Sequence, residues 1–546
     1  MIQNKLFLTL IIIFFSISKE EFTSYDFLKT DDTQIKNNHG KGNCVYLRGT
    51  NLGNLFVQEN WMSSTNSKDQ KTINEKLTNR FGKKIKENLI SIYEENYFTS
   101  NDLDKLKEMG MSVIRVPFTY MNLYDKTIDN KWILKKNAFE KLDWIVRESS
   151  KRGIYVILDL HGAFGSQNGQ DHSGEVIENV KDVTFYKNTE LKKLTLNLWK
   201  EVAIHYKNNP AIAGYDILNE PSEKAGITTD YHFEFYNEIY KIIRSVDPDH
   251  IIIMESCWTV LNIPNPKKYN WKNVVYEYHH YIWASQESAI GQKIATEALI
   301  TSINLANYNV PTYIGEFTCF VSNDAWKSVL ELFNLNGYHY TSWSFKSNNM
   351  GTWGIFNQKG KLKTNIELNS LNEIKYIWSD KNIGTGEKSS NNMVYDRLKE
   401  AFPGTIFFLK YYLIDKDYIK LKSGITNKYV CADNYGESNL IANRDSTGNW
   451  EHFLFYNNSD GTISIQSRAN NKFLCAVFDS NDKKNPIIAR SNHIQDWEKF
   501  YVENINNGKI AFRTFINNKY IQVNPYDKQL YALGEKIGTW EEFFKE

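Results

Sequence analysis

Residues 212–221 read Ile-Ala-Gly-Tyr-Asp-Ile-Leu-Asn-Glu-Pro, a short apolar run that ends in Asn219, Glu220 and Pro221. Its residues favour a buried strand, and we predict one over Ile212–Leu218. Seven other segments between residues 40 and 380 have the same character, and longer helical patterns separate them. These seven predicted strands are Val45–Leu47, Val113–Val116, Tyr155–Leu160, Ile251–Met254, Val274–Tyr278, Thr312–Ile314 and Tyr338–Ser342.

The helical segments between these strands are amphipathic. One has Leu103, Leu106 and Met109 on one face and begins at capping residues Thr99 and Ser100. Eight strands that alternate with helices predict an α/β fold, a (β/α)8 TIM barrel over residues 40–380. A doubly wound sheet is the competing fold. It requires a glycine-rich phosphate loop after the first strand, and Arg48-Gly-Thr-Asn-Leu-Gly53 does not match that pattern.

The charge balance narrows the class of partner. The 546 residues carry 65 basic and 64 acidic side chains, for a formal net charge of +1. Nucleic acids and anionic membranes attract proteins with a broad positive field, which this balance does not provide. We therefore expect no nucleic-acid partner, and a neutral sugar polymer fits better.

The amino-terminal segment resembles a targeting signal. Lys5 precedes the apolar run Leu6–Phe15, and small residues follow at Ser16 and Ser18, as in a signal peptide over residues 1–18. An uncleaved anchor is the alternative, but the run is too short to cross a bilayer. We expect a secreted, extracellular monomer without a transmembrane segment, located at the cell wall or cell surface or released from it.

The carboxyl-terminal part has a different pattern. Residues 381–413 are predicted as a linker with a helix, and residues 414–546 contain three repeats that begin at Asn427, Asn471 and Asn518. Each repeat continues to a Trp-Glu-x-Phe motif, at Trp450, Trp497 and Trp540. Three all-β repeats of this length close into a threefold barrel, because closure removes exposed strand edges. The segment resembles a fascin-like β-trefoil. It either tethers the chain to a polysaccharide or serves as a passive packing domain.

Polar residues gather where the predicted barrel strands end. In a (β/α)8 barrel these ends form the mouth, where active sites lie. Any one of these residues alone could form a structural ion pair or belong to the core. Six strand ends that converge on one face favour a functional site, because buried polar groups destabilise a fold unless function retains them. The strand-end residues are Arg115, His161, Asn219, Glu220, His279, Tyr281, Glu316 and Trp343.

Two of these residues suit the cleavage of a glycosidic bond. Such cleavage uses one carboxylic acid to protonate the leaving oxygen and a second carboxylate, and enzymes that retain configuration hold the two about 5–5.5 Å apart. We predict that Arg115 and Tyr281 stabilise ionised Glu316 as the nucleophile. Glu220 must be protonated at rest, so we expect an apolar setting for it near Glu316. Asn219 is placed to hold the sugar 2-hydroxyl.

The ordered set of motifs resembles glycoside hydrolase family 5 over residues 40–380, in its eukaryotic exo-β-1,3-glucanase branch. The matching motifs are Arg48-Gly-Thr-Asn-Leu-Gly53, Glu59-Asn-Trp61, Arg115-Val-Pro117, Leu160-His-Gly-Ala163 with Gly165-Ser-Gln-Asn-Gly169, Asn219-Glu-Pro221, His279-His-Tyr281, Gly315-Glu-Phe317 and Trp343-Ser-Phe-Lys346. The resemblance implies Glu220 as acid/base and Glu316 as nucleophile. It places Glu59, Arg115, His161, Asn219, His279, Tyr281 and Trp343 around the sugar, and it implies neither metal nor cofactor.

Three departures from this branch concern the substrate. Gln170 stands where an aromatic residue normally follows the Gly-Ser-Gln-Asn-Gly motif, and Trp283 is the candidate for a second aromatic expected after His-His-Tyr. The branch's Lys-Thr-Glu after the eighth strand is Lys346-Ser347-Asn348 here. A β-glucan or another β-glucoside is therefore the expected substrate, and the β-1,3 linkage is less firmly indicated than the chemistry.

Other functions stay open at this point. Within enzymes they are a β-glucosidase of another linkage, including aryl or lipid glucosides, and a transglycosidase, because both reactions share one glycosyl-enzyme intermediate. A catalytically lapsed sugar-binding protein and a fascin-like actin-bundling protein are the alternatives from other classes. The export signal and the single trefoil argue against actin bundling.

Overall fold

The computed structural model describes residues 21–179, 181, 183–221, 229–256, 259–402, 412–413, 418–458, 462–478, 484–491, 494–505 and 508–546. The predicted signal peptide lies outside these residues. The described chain forms two compact units. The first holds the residues up to 402 except 334–337, and the second holds that short stretch and the residues from 412 onward.

Eight parallel strands of the first unit close into a barrel, which is the (β/α)8 architecture predicted from the sequence. Each strand pairs with the next one, and the eighth pairs with the first. The strands are β1 Arg48–Asn51, β2 Val113–Thr119, β3 Tyr155–Gly162, β4 Ile212–Asp216, β5 Ile251–Glu255, β6 Val274–Tyr281, β7 Thr312–Thr318 and β8 His339–Ser342.

Helices occupy most connections between these strands. Helix α3 begins at a capping box in which Thr99 and Asp102 satisfy each other's backbone groups, so the predicted start at Thr99 and Ser100 is confirmed. Between β5 and β6 the described residues form only the 3₁₀ turns Val260–Asn262 and Pro266–Lys268. The helices are α1 Gln70–Phe81, α2 Lys83–Tyr97, α3 Ser100–Glu108, α4 Tyr120–Leu123, α5 Glu140–Ser150, α6 Thr189–Tyr206, α7 Thr229–Arg244, α8 Ala289–Ala306, α9 Asn323–Leu335, α10 Leu371–Ile377, α11 Asp380–Ile383 and α12 Met393–Ala401.

The first strand differs from its prediction. The sequence indicates Val45–Leu47, whereas β1 is Arg48–Asn51 and all four of its residues are buried. The polar composition of β1 hid it from a search for apolar runs. Two of its side chains form hydrogen bonds inside the barrel: the Thr50 hydroxyl donates to the carbonyl oxygen of Ser342 at 3.1 Å, and the amide of Asn51 donates to that of Gly315 at 2.8 Å.

Short strands outside the barrel complete the first unit. Residues 381–402, predicted as part of the linker, include the strand Thr385–Lys388, which pairs with Phe356–Gln358. The other short strands are Lys29–Asp31, Gln34–Lys36, Thr65–Asn66, Tyr124–Lys126, Trp132–Leu134, Lys346–Ser347 and Thr364–Asn365.

From residue 412 onward, the described residues of the second unit form strands and short turns. Its strands are β9 Leu421–Ser423, β10 Tyr429–Cys431, β11 Ile441–Arg444, β12 Phe453–Asn457, β13 Ile463–Ser467, β14 Phe473–Ala476, β15 Ile487–Ser491, β16 Phe500–Ile505, β17 Lys509–Thr514, β18 Tyr520–Val523, β19 Leu530–Gly534 and β20 Phe543–Lys545, with Tyr412–Leu413 paired to β12.

Six of these strands follow one another in a ring. Neighbouring pairs run β12–β13–β16–β17–β20–β9, and a bridge between Ile419 and Phe453 joins the two ends. Three antiparallel pairs, β10–β11, β14–β15 and β18–β19, extend from the ring.

The sequence repeats of this unit have equivalent backbones. Asn427, Asn471 and Asn518 have φ values of 54°, 57° and 57°, a left-handed conformation that asparagine tolerates better than most residues. The glutamate of each Trp-Glu-x-Phe motif accepts a backbone N–H three residues earlier. Glu451 accepts from Gly448, Glu498 from Gln495 and Glu541 from Gly538, at 2.7, 2.8 and 2.9 Å.

Among the described residues, no helix combines the length and apolar character that crossing a bilayer requires.

Candidate active site

The carboxyl ends of the barrel strands bring the predicted site residues together. Arg115 lies on β2, His161 on β3, His279 and Tyr281 on β6, and Glu316 on β7. Asn219 and Glu220 follow β4, and Trp343 follows β8. Because all eight strands are parallel, these positions share one end of the barrel.

Donors occupy both carboxylate oxygens of Glu316. Arg115 Nη1 lies 2.9 Å from Oε1, and the Tyr281 hydroxyl donates to Oε2 at 2.9 Å. The predicted contacts of Arg115 and Tyr281 with Glu316 are therefore present. The Glu316 residue is only 5% exposed, so these hydrogen bonds act with little screening by water.

The surroundings of Glu220 differ from those expected. Its Oε1 lies 2.7 Å from His279 Nδ1, and its Oε2 lies 3.2 Å from His172 Nε2. Burial alone would raise the pKa of Glu220, but the two histidines outweigh it and lower the pKa. The expectation of an apolar setting that keeps Glu220 protonated is therefore wrong.

Backbone contacts also fix Glu220. Its N–H donates to Glu255 Oε2 at 2.5 Å, and its φ is 39°, which is uncommon for a residue with a side chain. The side-chain amide of Asn168 donates to the carbonyl oxygen of Glu220 at 3.1 Å.

His279 connects the two glutamates. Its Nδ1 lies 2.7 Å from Glu220 Oε1 and 3.6 Å from Glu316 Oε2, so these two carboxyl oxygens are at most about 6.3 Å apart, the two contacts laid end to end. Retaining glycosidases hold the carboxyl groups about 5–5.5 Å apart, and inverting ones about 6.5–9.5 Å. The shared histidine therefore brings the two carboxyl groups close together at one end of the barrel.

Arg115 stands at the centre of a buried carboxylate cluster. Besides Glu316, its guanidinium contacts Asp159 at 3.2 Å, Asp216 at 2.7 Å and Glu277 at 3.5 Å, and none of these three carboxylates is exposed. Burial raises the pKa of Asp159 and of Asp216 well above the ordinary range, despite Arg115.

Sequence reasoning missed Asp159, Asp216 and Glu277 as parts of the site. A signal was present, because Asp159 precedes His161 by two residues and Glu277 precedes His279 by two. Alternate residues of a strand point to the same face, so acidic residues two positions before a mouth residue point into the barrel. His172 and Glu255 lie outside that pattern.

Glu59 is buried at the same mouth. It accepts a hydrogen bond from Trp61 Nε1 at 2.8 Å, and its backbone N–H donates to the Asn54 side chain at 2.9 Å. Burial, followed by the charge of Asp171, raises the pKa of Glu59 well above its usual value. Glu220 and Glu316 are near enough to contribute to the same shift.

His161 and Trp343 form one wall of the mouth. Their rings stack with centroids 5.5 Å apart and planes within 7° of parallel. His161 Nδ1 lies 2.6 Å from Asp159 Oδ2, which fixes the ring. Asn219 Oδ1 accepts from Arg115 Nη2 at 2.8 Å. All nine predicted site residues thus lie at one barrel end.

An exposed tryptophan and several less exposed aromatic rings border the mouth. Trp283 is 58% exposed, and its ring lies 6.0 Å from Tyr281, 5.2 Å from Phe320 and 5.5 Å from Trp353. Trp353 also contacts Trp61 at 5.1 Å. The sequence pointed to Tyr281, to Trp283 and, through a matching motif, to Trp61, but not to Phe320 or Trp353.

Two groups of side chains could supply metal ligands. Glu59, Asp171 and His172 form one, and Glu220, Glu255 and His279 form the other, with ligand atoms within 4.8 Å in each. The hydrogen bond between Glu220 and His279 accounts for the second group without an ion. The sequence-based expectation of no metal stays a prediction.

The family model for cellulase (glycosyl hydrolase family 5) matches residues 66–349, which is more than half of the chain. The chain belongs to glycosyl hydrolase family 5. A second model, for a domain of unknown function (DUF7910), matches residues 411–543.

Curated relatives within this family carry several activities in their names. A beta-xylosidase of Phanerodontia chrysosporium is 30% identical over 278 residues, covering 50% of this chain and 55% of that protein. A probable glucan 1,3-beta-glucosidase A of Aspergillus fumigatus is 26% identical over 239 residues, covering 43% and 55%. A probable glucan endo-1,6-beta-glucosidase B of the same species is 25% identical over 300 residues, covering 52% and 74%. The chain spans about half the length of the first two.

Solved structures are also similar at low identity. Rutinosidase from Aspergillus niger is 16% identical with a TM-score of 0.47, covering 61% of this chain and 94% of that chain. Endoglucanase Cel5A from Thermotoga maritima is 19% identical with a TM-score of 0.41, covering 64% and 96%. We draw nothing from them about the substrate.

Proposed function

We propose that the protein is a retaining β-glycosidase that cleaves β-glucosidic bonds with Glu316 as nucleophile and Glu220 as acid/base. The observation that carries this proposal is the His279 contact shared by the two glutamates, which brings one carboxyl oxygen of each within about 6.3 Å of the other, the sum of the 2.7 and 3.6 Å contacts. The mouth of the barrel supplies the rest of the machinery from separate strands, as barrel enzymes do.

The reaction has two steps. Glu316 attacks the anomeric carbon, the bond to the leaving oxygen breaks, and Glu220 delivers a proton to that oxygen. Water then attacks the glycosyl-enzyme, Glu220 takes its proton, and Glu316 is released. Arg115 and Tyr281 hold Glu316 in position through both steps.

The remaining predicted residues surround the sugar. Glu59, His161, Asn219, His279 and Trp343 line the mouth beside the reacting pair, and Arg115 and Tyr281 stand behind Glu316. The Asn219 amide, oriented by Arg115, is placed to bind the 2-hydroxyl, a contact that strengthens in the oxocarbenium-like transition state.

For linkage we propose exo-action on β-1,3-glucan, in polysaccharide breakdown or cell-wall remodelling. The motif set of the exo-β-1,3-glucanase branch and the relative named glucan 1,3-beta-glucosidase support this linkage. The relatives named beta-xylosidase and glucan endo-1,6-beta-glucosidase favour the alternatives, a β-glycosidase of another linkage or a transglycosidase. Gln170 and the exposed Trp283 mark where the chain departs from the branch.

Proton NMR of the products separates these functions. The full chain would be incubated with β-1,3-, β-1,6- and β-1,4-gluco-oligosaccharides and with xylo-oligosaccharides. We expect β-glucose as the first product of the β-1,3 substrate. First-formed α-glucose would refute retention, longer products would indicate transfer, and binding without turnover would indicate a lapsed enzyme.

For residues 414–546 we propose a fascin-like β-trefoil that tethers the enzyme to its polymer. The ring of six strands, the three hairpins and the three equivalent glutamate caps support this fold. Tethering raises the effective substrate concentration. A passive packing domain is the alternative, and pull-down of the full chain by insoluble β-glucan distinguishes the two.

The setting of the enzyme is part of the same proposal. The Met1–Ser18 signal pattern and a polysaccharide substrate support extracellular action by a monomer, at the cell wall or cell surface or in the surrounding medium. The nearly balanced charge supports a neutral glycan rather than nucleic acid as partner.

A further inference from the structure

Glu277 is a buried carboxyl to which the reaction above gives no role. It lies on β6, two residues before His279, and its side chain is not exposed. Its Oε1 faces His279 Nε2 at 3.4 Å and Arg115 Nε at 3.5 Å. A buried carboxylate destabilises a fold unless its partners compensate, so its position against the imidazole calls for a reason.

The backbone makes room for this carboxyl. The register of β6 and β7 shifts between Tyr278 and His279, so that Ile314 and Glu316 face them and Gly315 is left over. A Cβ atom on Gly315 would lie 1.5 Å from Glu277 Oε1. The glycine beside the nucleophile therefore provides the space that Glu277 fills.

Carboxylates face His279 from four strands. They are Glu220 after β4 at 2.7 Å, Glu255 of β5 at 3.7 Å, Glu277 of β6 itself at 3.4 Å and Glu316 of β7 at 3.6 Å. Asp159 of β3 and Asp216 of β4 belong to the same carboxylate cluster around Arg115 of β2, which is the positive charge of this region. The ring of Tyr281 lies beside the His279 ring.

These charges decide the state of the imidazole. Burial would lower the pKa of His279, but Glu255, Glu316, Glu220 and Glu277 together raise it well above the usual value. The protonated ring then donates Nδ1–H to Glu220 Oε1 and directs Nε2–H toward Glu277. Glu220, whose own pKa is lowered by this neighbour, is ionised at rest.

We propose that His279 stores the proton that Glu220 delivers to the leaving group, and that Glu277 is the positioning residue that keeps the proton on His279. This inference rests on the proposed function and deepens it. The imidazole has one carboxyl at each nitrogen, Glu220 at Nδ1 and Glu277 at Nε2.

The proton balance is complete within the site. As the glycosidic bond breaks, Glu220 passes a proton to the leaving oxygen and receives the Nδ1 proton of His279, which leaves His279 neutral. When water attacks the glycosyl-enzyme, its proton returns through Glu220 to Nδ1. As the water oxygen bonds to the anomeric carbon, the bond between that carbon and Glu316 breaks, and both groups regain their resting states.

Glu277→Gln in the full chain tests the proposal, with Tyr278→Phe as matched control on the opposite face of the same strand. For laminaribiose, a substrate with a poor leaving group, we expect kcat/KM to fall at least about tenfold, because it requires the general acid. The alkaline limb of its pH profile should move down by about one unit, since a neutral amide no longer stabilises the imidazolium.

A substrate with a good leaving group provides the second comparison. Glycosylation by 2,4-dinitrophenyl β-glucoside requires no proton, so its kcat/KM should change less than about threefold in Glu277→Gln. Glu277→Asp, which keeps the charge, should restore the alkaline limb. Equal losses on both substrates with an unmoved pH profile would overturn the proposal and leave Glu277 a structural role.

A measurement on the unmodified chain keeps the proposal testable if Glu277→Gln does not fold. The measurement is NMR of the chain labelled with ¹⁵N-histidine. We expect an imidazolium signal that persists at pH 7.5 and is absent in His279→Gln. If the unmodified chain lacks this signal, the proposal is overturned. Failure of the proposed function would give a different result. In that case the activity of Glu220→Ala would not depend on the leaving group and would not be rescued by azide.

Discussion

The two units use buried carboxylates in opposite ways. In the barrel, Asp159, Asp216, Glu277 and Glu316 come from four strands and converge on Arg115. In the second unit, Glu451, Glu498 and Glu541 are also buried, but each accepts a backbone N–H only three residues away.

This difference separates function from fold maintenance. A carboxylate that caps its own turn satisfies a local backbone donor and so stabilises the fold at that turn. Carboxylates brought together from distant strands repel one another, and a fold retains such a cluster where the arrangement serves chemistry. Burial of an acidic residue is therefore less informative than the sequence distance to its partner.

The largest expected effect is at Glu316. Glu316→Gln should lower kcat by at least about four orders of magnitude, because the amide cannot attack the anomeric carbon. The measurement is release of glucose from laminaribiose, with thermal unfolding to show that the fold is kept. Turnover near the unmodified rate would refute the nucleophile assignment.

Glu220→Ala should show the next largest effect. Loss of the general acid should lower kcat/KM on laminaribiose by about 10²–10⁴-fold, while 2,4-dinitrophenyl β-glucoside should still form the glycosyl-enzyme. Added azide should speed its turnover and yield β-glucosyl azide, detected by NMR. An α-azide, or loss of equal size on both substrates, would contradict the acid/base role.

The pH dependence of stability in Asp216→Asn tests the buried carboxylates around Arg115. The folded-state pKa of Asp216 is raised, so the folded chain keeps a proton that the unfolded chain releases above about pH 4. The free energy of unfolding should therefore fall as pH rises, by about 1.4 kcal/mol per unit for one proton. The variant should lose this contribution, so its urea-unfolding stability should depend less steeply on pH between 5 and 7. An unchanged slope would show that Asp216 holds no such proton.

The smallest effect is expected at a local cap of the second unit. Glu451→Ala should lower the free energy of unfolding by about 1 kcal/mol, since Gly448 N–H loses its acceptor. Glu451→Gln, which keeps an acceptor oxygen, should cost less. Hydrolysis of 2,4-dinitrophenyl β-glucoside should be unchanged in both, and a loss of activity would break the contrast between the units.

The sequence predicted the strands and site residues that follow a regular pattern. Seven of the eight strands were found near their observed limits because they are apolar, and Arg115, Glu220 and Glu316 were found because strand ends share one barrel face. Strand β1 was displaced because Arg48–Asn51 is polar yet buried.

What the sequence could not supply were contacts across long distances. His172 reaches Glu220 from 48 positions away in the chain, and Glu255 reaches it from 35. Neither contact follows from a period or a motif. The charge state expected for Glu220 was wrong for the same reason, because it depends on these neighbours rather than on its own strand.

The side chains that fit at positions 315 and 277 depend on each other. Since a Cβ atom at 315 would lie 1.5 Å from Glu277 Oε1, a side chain at 315 requires the Glu277 side chain to move or to be replaced by a smaller one. Libraries that aim to retune this catalyst should therefore randomise 277 and 315 together, and among natural variants a side chain at 315 should coincide with a small residue at 277.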